Sequence, residues 1–189
     1  MAVWCRLRGS TQSNLASEIS GRMPAVFDDV VDANRRYAAG YWDPRLPGTA
    51  ARGLAVLTCI DSRIDPLSIL GLSPGDAKIL RNAGARVTDD ALRSLVLAAN
   101  LLHVDRVCIV QHTDCAVAHT TEAEIHKRIE AHSGVDASGW EFCATTDQVA
   151  SMRQDLARLR ACPLLPPDLL VGMFIYDVTT GSLDLVDQG

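Results

Sequence analysis

Two short apolar runs in this chain end in the same way, in side chains that bind soft metal ions. The first run, residues 54–58, leads directly into Cys59, and the second, residues 107–111, leads into His112 and Cys115. Each run is as long as a buried strand and shorter than a typical helix. We therefore expect two strands whose carboxyl ends meet at one shared site.

The ligand types predict zinc at that site. Two thiolates and one imidazole, from Cys59, Cys115 and His112, form a set that suits Zn²⁺. Catalytic zinc sites use three protein ligands and leave a fourth position for water, whereas structural sites are closed by four protein ligands. The sequence therefore predicts an open, catalytic site. In the alternative, Asp61 lies near enough in the sequence to act as the fourth ligand and close the site.

Asp61 and Arg63 follow Cys59 at intervals of two residues. Thiolate ligands donate charge to a metal and weaken its effect on the acidity of bound water, so the site gains from a group that orients the water. Asp61 is placed to accept a hydrogen bond from that water, and Arg63 is placed to form a bidentate pair with Asp61. Such a pair fixes the carboxylate and lowers its pKa.

Helical patterns alternate with apolar strands through most of the chain. We predict strands over residues 53–58, 76–80, 106–111 and 170–178, with a hairpin partner over 183–186. We predict helices over residues 24–39, 66–70, 89–102, 121–132 and 146–160. This alternation indicates an α/β fold with a mostly parallel sheet of four strands in the order 2-1-3-4, an antiparallel C-terminal edge strand and flanking helices. Strands 1 and 3 are then neighbours and end at the topological switch point, where open α/β sheets bind ligands.

The first 22 residues differ from the rest of the chain. They are rich in serine, carry three arginines and have Glu18 as their one acidic residue. We predict a disordered N-terminal extension over residues 1–22 and a single zinc domain over residues 23–189. An organelle transit peptide has a similar composition and is the alternative for the extension.

The overall composition limits the classes of partner. The net charge is −5, whereas nucleic-acid-binding domains usually present a basic face. No apolar run is long enough to span a bilayer. The six cysteines are better explained as reduced thiols than as a disulfide framework in a chain of this size. We therefore expect a cytoplasmic protein that binds a small molecule and neither nucleic acid nor membrane.

Three motifs, taken together and in this order, resemble those of β-class carbonic anhydrases. They are C-x-D-x-R from Cys59 to Arg63, R-N-A-G from Arg81 to Gly84, and H-T-D-C from His112 to Cys115. The resemblance extends from about residue 24 to the C-terminal hairpin. The shortness of the chain resembles the compact branch of the family, which also includes carbonyl sulfide and carbon disulfide hydrolases.

The resemblance implies a function and an assembly. It implies Zn²⁺ held by Cys59, His112 and Cys115, and reversible hydration of CO2 to bicarbonate by a zinc hydroxide that the Asp61–Arg63 dyad orients. It also implies a homodimer or homotetramer with the active site at the subunit interface.

We expect Ala83, Gly84 and Ala116 to line the substrate pocket. The family usually has glycine where this chain has Ala116. The extra methyl group is harmless if φ is negative and costly if the backbone is left-handed. Pocket width decides between CO2 and the alternative substrates carbonyl sulfide and carbon disulfide, and the sequence leaves that choice open.

Two further function classes are alternatives to CO2 hydration. A cysteine-dependent phosphatase or sulfurtransferase needs a phosphate-binding loop, usually C-x5-R, whereas Cys59 to Arg63 is C-x3-R without glycine. That spacing excludes it. A zinc-binding regulatory module, closed by Asp61, stays open and is distinguished from an enzyme by activity at alkaline pH.

Overall fold

The computed structural model describes residues 25–188. These residues fall into two compact units, divided between Arg45 and Leu46. The first unit holds one helix, and the second holds the sheet. The predicted disordered extension, residues 1–22, lies outside the described residues, and the assignment of residues 23–189 to one zinc domain stays a prediction.

Five helices and five strands make up the described chain. The helices are α1 (Asp28–Ala39), α2 (Pro66–Ile69), α3 (Asp89–Leu101), α4 (Glu122–Ser133) and α5 (Gln148–Ala161). The strands are β1 (Leu54–Cys59), β2 (Ala77–Asn82), β3 (Arg106–His112), β4 (Leu170–Tyr176) and β5 (Leu183–Gln188). Within residues 25–188, no helix has both the length and the apolar character that a membrane span requires.

The strands form one sheet in the order β2-β1-β3-β4-β5. The first four strands of that order pair in parallel, and β5 pairs antiparallel to β4. The predicted α/β fold, its strand order and its antiparallel edge strand are therefore confirmed. Because β1 and β3 are parallel neighbours, their carboxyl ends lie side by side at one edge of the sheet.

The strand β1, which lies between β2 and β3, is buried along its whole length. A strand that is covered on both faces needs a continuous apolar run, which explains why residues 54–58 show no alternation with polar residues. The main core includes buried side chains of β1, β3 and β4 together with those of α3 and α5, such as Leu57, Ile109, Leu95 and Met152. This packing holds the ends of β1 and β3 in fixed positions.

The third strand is one residue longer than predicted. We expected it to end at Gln111, but His112 belongs to β3 and pairs with Tyr176 of β4. The predicted end followed the apolar run, which stops at residue 111. The pairing of β3 with β4 continues for one more residue. His112 therefore belongs to the sheet itself, which gives its imidazole a rigid base.

Candidate metal centre

The structure brings Cys59, His112 and Cys115 together. Their ligand atoms all lie within 4.8 Å of one another, and all three residues are buried. The two Sγ atoms are 4.0 Å apart. Two sulfurs bound to one tetrahedral zinc at about 2.3 Å each would be about 3.8 Å apart. The spacing of the two sulfurs therefore fits a shared zinc ion.

The imidazole of His112 presents one free nitrogen to this cluster. Its Nδ1 lies 2.8 Å from the carbonyl oxygen of Thr113. Its Nε2 is the one buried side-chain nitrogen or oxygen without a hydrogen-bond partner among residues 25–188. Buried polar atoms are nearly always partnered. A histidine that binds a metal typically donates its other N–H to a carbonyl, so both nitrogens fit a metal ligand.

The two cysteines share a proton through a direct contact. The hydrogen bond from the Cys115 thiol lowers the pKa of Cys59 to about 3, against the effect of burial. The same contact, with burial, raises the pKa of Cys115 far above its usual range. Burial opposes the charged form of His112, but the nearby Cys59 thiolate, the Thr113 carbonyl and the Asp61 carboxylate together outweigh it and raise the pKa of the imidazole. The contact between the two cysteines therefore favours the thiolate form of Cys59, which is the form of cysteine that binds a metal ion.

Gly84 approaches the cluster with its backbone. Its N–H donates to Cys59 Sγ at 3.4 Å, and its φ is +76°. A Cβ at this position would lie 2.7 Å from Cγ2 of Val117. Only glycine fits both constraints, so Gly84 contributes an N–H to the thiolate. Its neighbour Ala83 begins the same 3-10 turn, Ala83–Ala85.

Asp61 and Arg63 form a bidentate pair beside the cluster. Arg63 Nε donates to Asp61 Oδ1 at 3.0 Å, and Nη2 donates to Oδ2 at 2.7 Å. These hydrogen bonds hold the pKa of Asp61 well below its usual range. Asp61 Oδ2 lies 3.9 Å from His112 Nε2, so the ionised carboxylate borders the free nitrogen.

Arg81 stabilises the segment that carries Cys59 and Asp61. Its Nε donates to the Cys59 carbonyl at 2.8 Å, and its Nη2 donates to the Asp61 carbonyl at 2.6 Å. No role for Arg81 was predicted from the sequence, in which the R-N-A-G motif was expected to contribute Ala83 and Gly84 to the substrate pocket. The predicted second strand ended at residue 80, but β2 continues to Asn82, and its register places Arg81 opposite Thr58.

Ala116 has no left-handed backbone. The residues other than glycine with positive φ in the described chain are Arg45, Ala85, His103, Asp114 and Cys143. The left-handed residue of the H-T-D-C motif is therefore Asp114, with φ of +54°. Ala116 is exposed and lines a groove of about 370 Å³, whose other lining residues include Val117, Ile125 and Ile129.

A second arginine–aspartate pair lies close to Gly84. Arg86 Nε donates to Asp155 Oδ2 at 2.7 Å, and Nη2 contacts Oδ1 at 3.3 Å. The Arg86 Nη1 also donates to the Cys143 carbonyl at 2.9 Å. Both charged side chains are largely buried, and the pair connects the turn after β2 to α5. No local pattern in the sequence indicates this pair, whose members are 69 residues apart.

Comparison with known proteins gives a consistent picture. Residues 54–155 match the family model described as carbonic anhydrase. The chain is 34% identical over 161 residues to β-carbonic anhydrase 1 of Mycobacterium tuberculosis, covering 85% of this chain and 98% of that protein. It is 30% identical over 183 residues to the carbon disulfide hydrolase of Saccharolobus solfataricus, covering 84% of this chain and 89% of that protein.

Among solved structures, the carbonic anhydrase of Streptococcus mutans superimposes with a TM-score of 0.81 at 38% identity. The match covers 88% of this chain and all of that one. The sheet order, the cysteine–histidine cluster and these similarities agree. The chain belongs to the β-carbonic anhydrase family.

Proposed function

We propose that this protein is a zinc enzyme that reversibly hydrates CO2 to bicarbonate. The observation that carries the proposal is the buried cluster of Cys59, His112 and Cys115, with the ionised Asp61 carboxylate 3.9 Å from the free imidazole nitrogen. A zinc ion held by these three residues supplies a Lewis acid that makes water a nucleophile near neutral pH.

The residues around the cluster have separate roles in the proposed reaction. Asp61 accepts a hydrogen bond from the attacking water and so orients one of its lone pairs toward the carbon of CO2. Arg63 occupies both oxygens of Asp61 and keeps the carboxylate ionised. The N–H of Gly84 stabilises the thiolate of Cys59. Ala83, Gly84 and Ala116 are proposed to line the substrate pocket.

A specific observation favours a second substrate class. A relative at 30% identity, aligned over 89% of its length, is a carbon disulfide hydrolase. Carbon disulfide and carbonyl sulfide are linear and apolar like CO2, so the same cluster would serve for their hydrolysis.

The experiment is stopped-flow CO2 hydration beside sulfide release from carbonyl sulfide and carbon disulfide, on zinc-quantified protein between pH 6.5 and 9. Fast CO2 hydration that rises with pH supports the carbonic anhydrase. Sulfide release with poor CO2 hydration supports the second class. A zinc-loaded protein that is inactive even at alkaline pH would contradict both and favour a regulatory module in which Asp61 closes the metal site.

We further propose a homodimer or homotetramer with the site at the subunit interface. The support is Ile60, which stands between Cys59 and Asp61 and is 62% exposed. A large apolar side chain at the rim of a reactive site favours coverage by a second subunit. Light scattering at micromolar concentration tests the assembly. The cytoplasmic location and the absence of a nucleic-acid or membrane partner stay predictions.

A further inference from the structure

The guanidinium of Arg63 contacts two aspartates from two different segments. Besides the pair with Asp61, Nη1 donates to Asp114 Oδ2 at 2.8 Å, and Nη2 donates to the Asp114 carbonyl at 3.1 Å. Asp61 follows Cys59 at the end of β1, whereas Asp114 stands between His112 and Cys115 at the end of β3. Arg63 therefore connects the two segments that carry the candidate ligands.

The contact with Asp114 is what fixes Arg63 to a rigid part of the molecule. Asp61 and Arg63 are only two residues apart, so their side chains can move together without breaking their pair. Asp114 instead follows Thr113, whose N–H donates to the Tyr176 carbonyl at 3.0 Å and whose Oγ1 accepts from the Val178 N–H at 3.1 Å. The segment that holds Asp114 is thus anchored to β4.

The other candidate for this role is Arg81. It holds the carbonyl oxygen of Asp61 at 2.6 Å, which fixes the backbone of the segment but leaves the carboxylate free to rotate. Among residues 25–188, the hydrogen bonds to the Asp61 carboxylate come from Arg63. One of these is donated by the Arg63 backbone N–H to Oδ1 at 2.9 Å, whereas Oδ2, the oxygen that borders His112, accepts from the guanidinium. The orientation of Oδ2 therefore depends on where the guanidinium is held.

Aspartate suits position 114 for two separate reasons. Its φ is +54°, a conformation that Asp, Asn and Gly adopt more readily than other residues. Its carboxylate is the partner of Arg63. The side chain is 78% exposed, and exposed ion pairs contribute little to folding stability. A role in the site can therefore be separated experimentally from a role in the fold.

We propose that Asp114 is a positioning residue, which fixes the Arg63 guanidinium relative to the cysteine–histidine cluster and so sets the orientation of the Asp61 carboxylate. Its consequence for turnover rests on the proposed function, whereas its consequence for the mobility of Arg63 does not.

The test compares Asp114→Asn and Asp114→Gly in the zinc-loaded full chain. Both replacements tolerate the left-handed backbone, so the turn before Cys115 is preserved. Asn keeps an acceptor oxygen without the charge, and Gly removes the side chain. The matched control is Asp90→Asn, which removes an equally exposed aspartate paired with Arg93 on α3.

The first readout is hydrogen exchange at the Arg63 Nε–H, followed by NMR. We expect exchange to accelerate in Asp114→Gly, to be intermediate in Asp114→Asn and to stay at the wild-type rate in Asp90→Asn. The second readout is kinetic. We expect kcat per bound zinc to fall by about three- to fivefold in Asp114→Gly, the range of an exposed ion pair, with KM unchanged and partial rescue in Asp114→Asn. High salt should narrow the difference from wild type, because the exposed contact is screened.

Unchanged exchange at Arg63 in both Asp114 variants would overturn the proposal. So would a loss of zinc in Asp114→Gly with a wild-type kcat in the fraction that keeps zinc, because that result assigns Asp114 to the turn alone. If zinc-loaded wild type hydrates no CO2, the proposed function fails, and the exchange measurement still decides whether Asp114 positions Arg63.

Discussion

Two arginine–aspartate pairs, Arg63–Asp61 and Arg86–Asp155, lie near the cysteine–histidine cluster and differ in their exposure to solvent. The side chains of Arg63 and Asp61 are 43% and 18% exposed, whereas those of Arg86 and Asp155 are 12% and 5% exposed. The first pair joins residues two apart in one loop, and the second joins a turn to a helix 69 residues away. The same two residue types therefore form one partly exposed pair within a loop and one buried pair between distant segments.

The difference follows from desolvation. A partly exposed pair adds little to stability, because water competes for both charges. A buried pair is costly to break, because the remaining charge is left without a partner in a medium of low polarity. The partly exposed pair is therefore the one that we propose to act in the reaction, and the buried pair fixes the turn whose Gly84 contacts Cys59.

The largest effect is expected for Asp155→Asn. Loss of the carboxylate leaves the Arg86 guanidinium buried without its counter-charge, and we expect the free energy of unfolding to fall by ~3–5 kcal/mol. Urea unfolding of zinc-loaded protein measures this, with Asp90→Asn as the surface control. Turnover per bound zinc in the folded fraction should stay comparable to wild type. If Asp155→Asn unfolded at the same urea concentration as wild type, the expected difference between the buried and the exposed pair would be contradicted.

The reverse pattern is expected for Asp61→Asn. The variant should keep its zinc and its unfolding midpoint, since the pair is partly exposed. We expect kcat to fall by about a hundredfold, at the low end of what a positioned acid–base group contributes. Stopped-flow CO2 hydration with zinc quantified on the same sample measures both. Unchanged turnover would remove Asp61 from the mechanism.

Replacing each arginine by lysine sharpens the comparison further. Lysine keeps the charge but cannot form the fork of two parallel hydrogen bonds. We expect Arg86→Lys to lose about 1–2 kcal/mol of stability, the value of a hydrogen bond to a charged group. Arg63→Lys should keep its stability and lose turnover by up to about tenfold. Equal stability losses in the two variants would show that the pairs are energetically alike.

The smallest effect is expected in the pH profile. Arg63 holds the pKa of Asp61 well below its usual range. Because the pKa is lowered, the stabilisation of the ionised Asp61 carboxylate by Arg63 is complete above the ordinary aspartate pKa of about 3.9. This stabilisation is lost as the pH falls through the lowered pKa. Wild type should therefore show no acid loss of kcat/KM from Asp61 above about pH 4.

In Arg63→Gln the pKa of Asp61 should return toward its usual range, and an acid limb should appear at higher pH than in wild type. Arg86→Gln, which leaves Asp61 paired, serves as the control. Zinc content is measured at each pH, so that metal loss is not mistaken for protonation. Identical acid limbs in wild type and Arg63→Gln would contradict the assigned cause.

Much of the fold could be predicted from local sequence. The apolar runs that lead into Cys59 and His112 have strand length, and the helical patterns between them require parallel strands. The strand order follows from this pattern. It places the carboxyl ends of β1 and β3 side by side at one edge of the sheet. Several strand ends were misplaced: β2 and β3 continue to Asn82 and His112, and β4 ends at Tyr176 rather than at residue 178. A strand ends where its partner stops pairing, as His112 with Tyr176 shows, and local sequence does not contain that information.

The contacts around the site could be predicted only in part. The pairing of Asp61 with Arg63 is local and was anticipated. Arg63 and Asp114 are 51 residues apart in the sequence, and Arg86 and Asp155 are 69 residues apart. No local sequence pattern predicts either contact. The left-handed backbone at Asp114, rather than at Ala116, likewise depends on how the segment returns Cys115 to the cluster.

The proposed zinc ligands Cys59, His112 and Cys115 underlie the proposed roles of all the residues around them. The most direct test is zinc-edge X-ray absorption of the purified full chain at about pH 8. We predict two sulfur ligands at about 2.3 Å and one imidazole nitrogen at about 2.0 Å, with one further light atom. A spectrum with no sulfur ligand, or with three or more, would contradict the assignment of Cys59, His112 and Cys115.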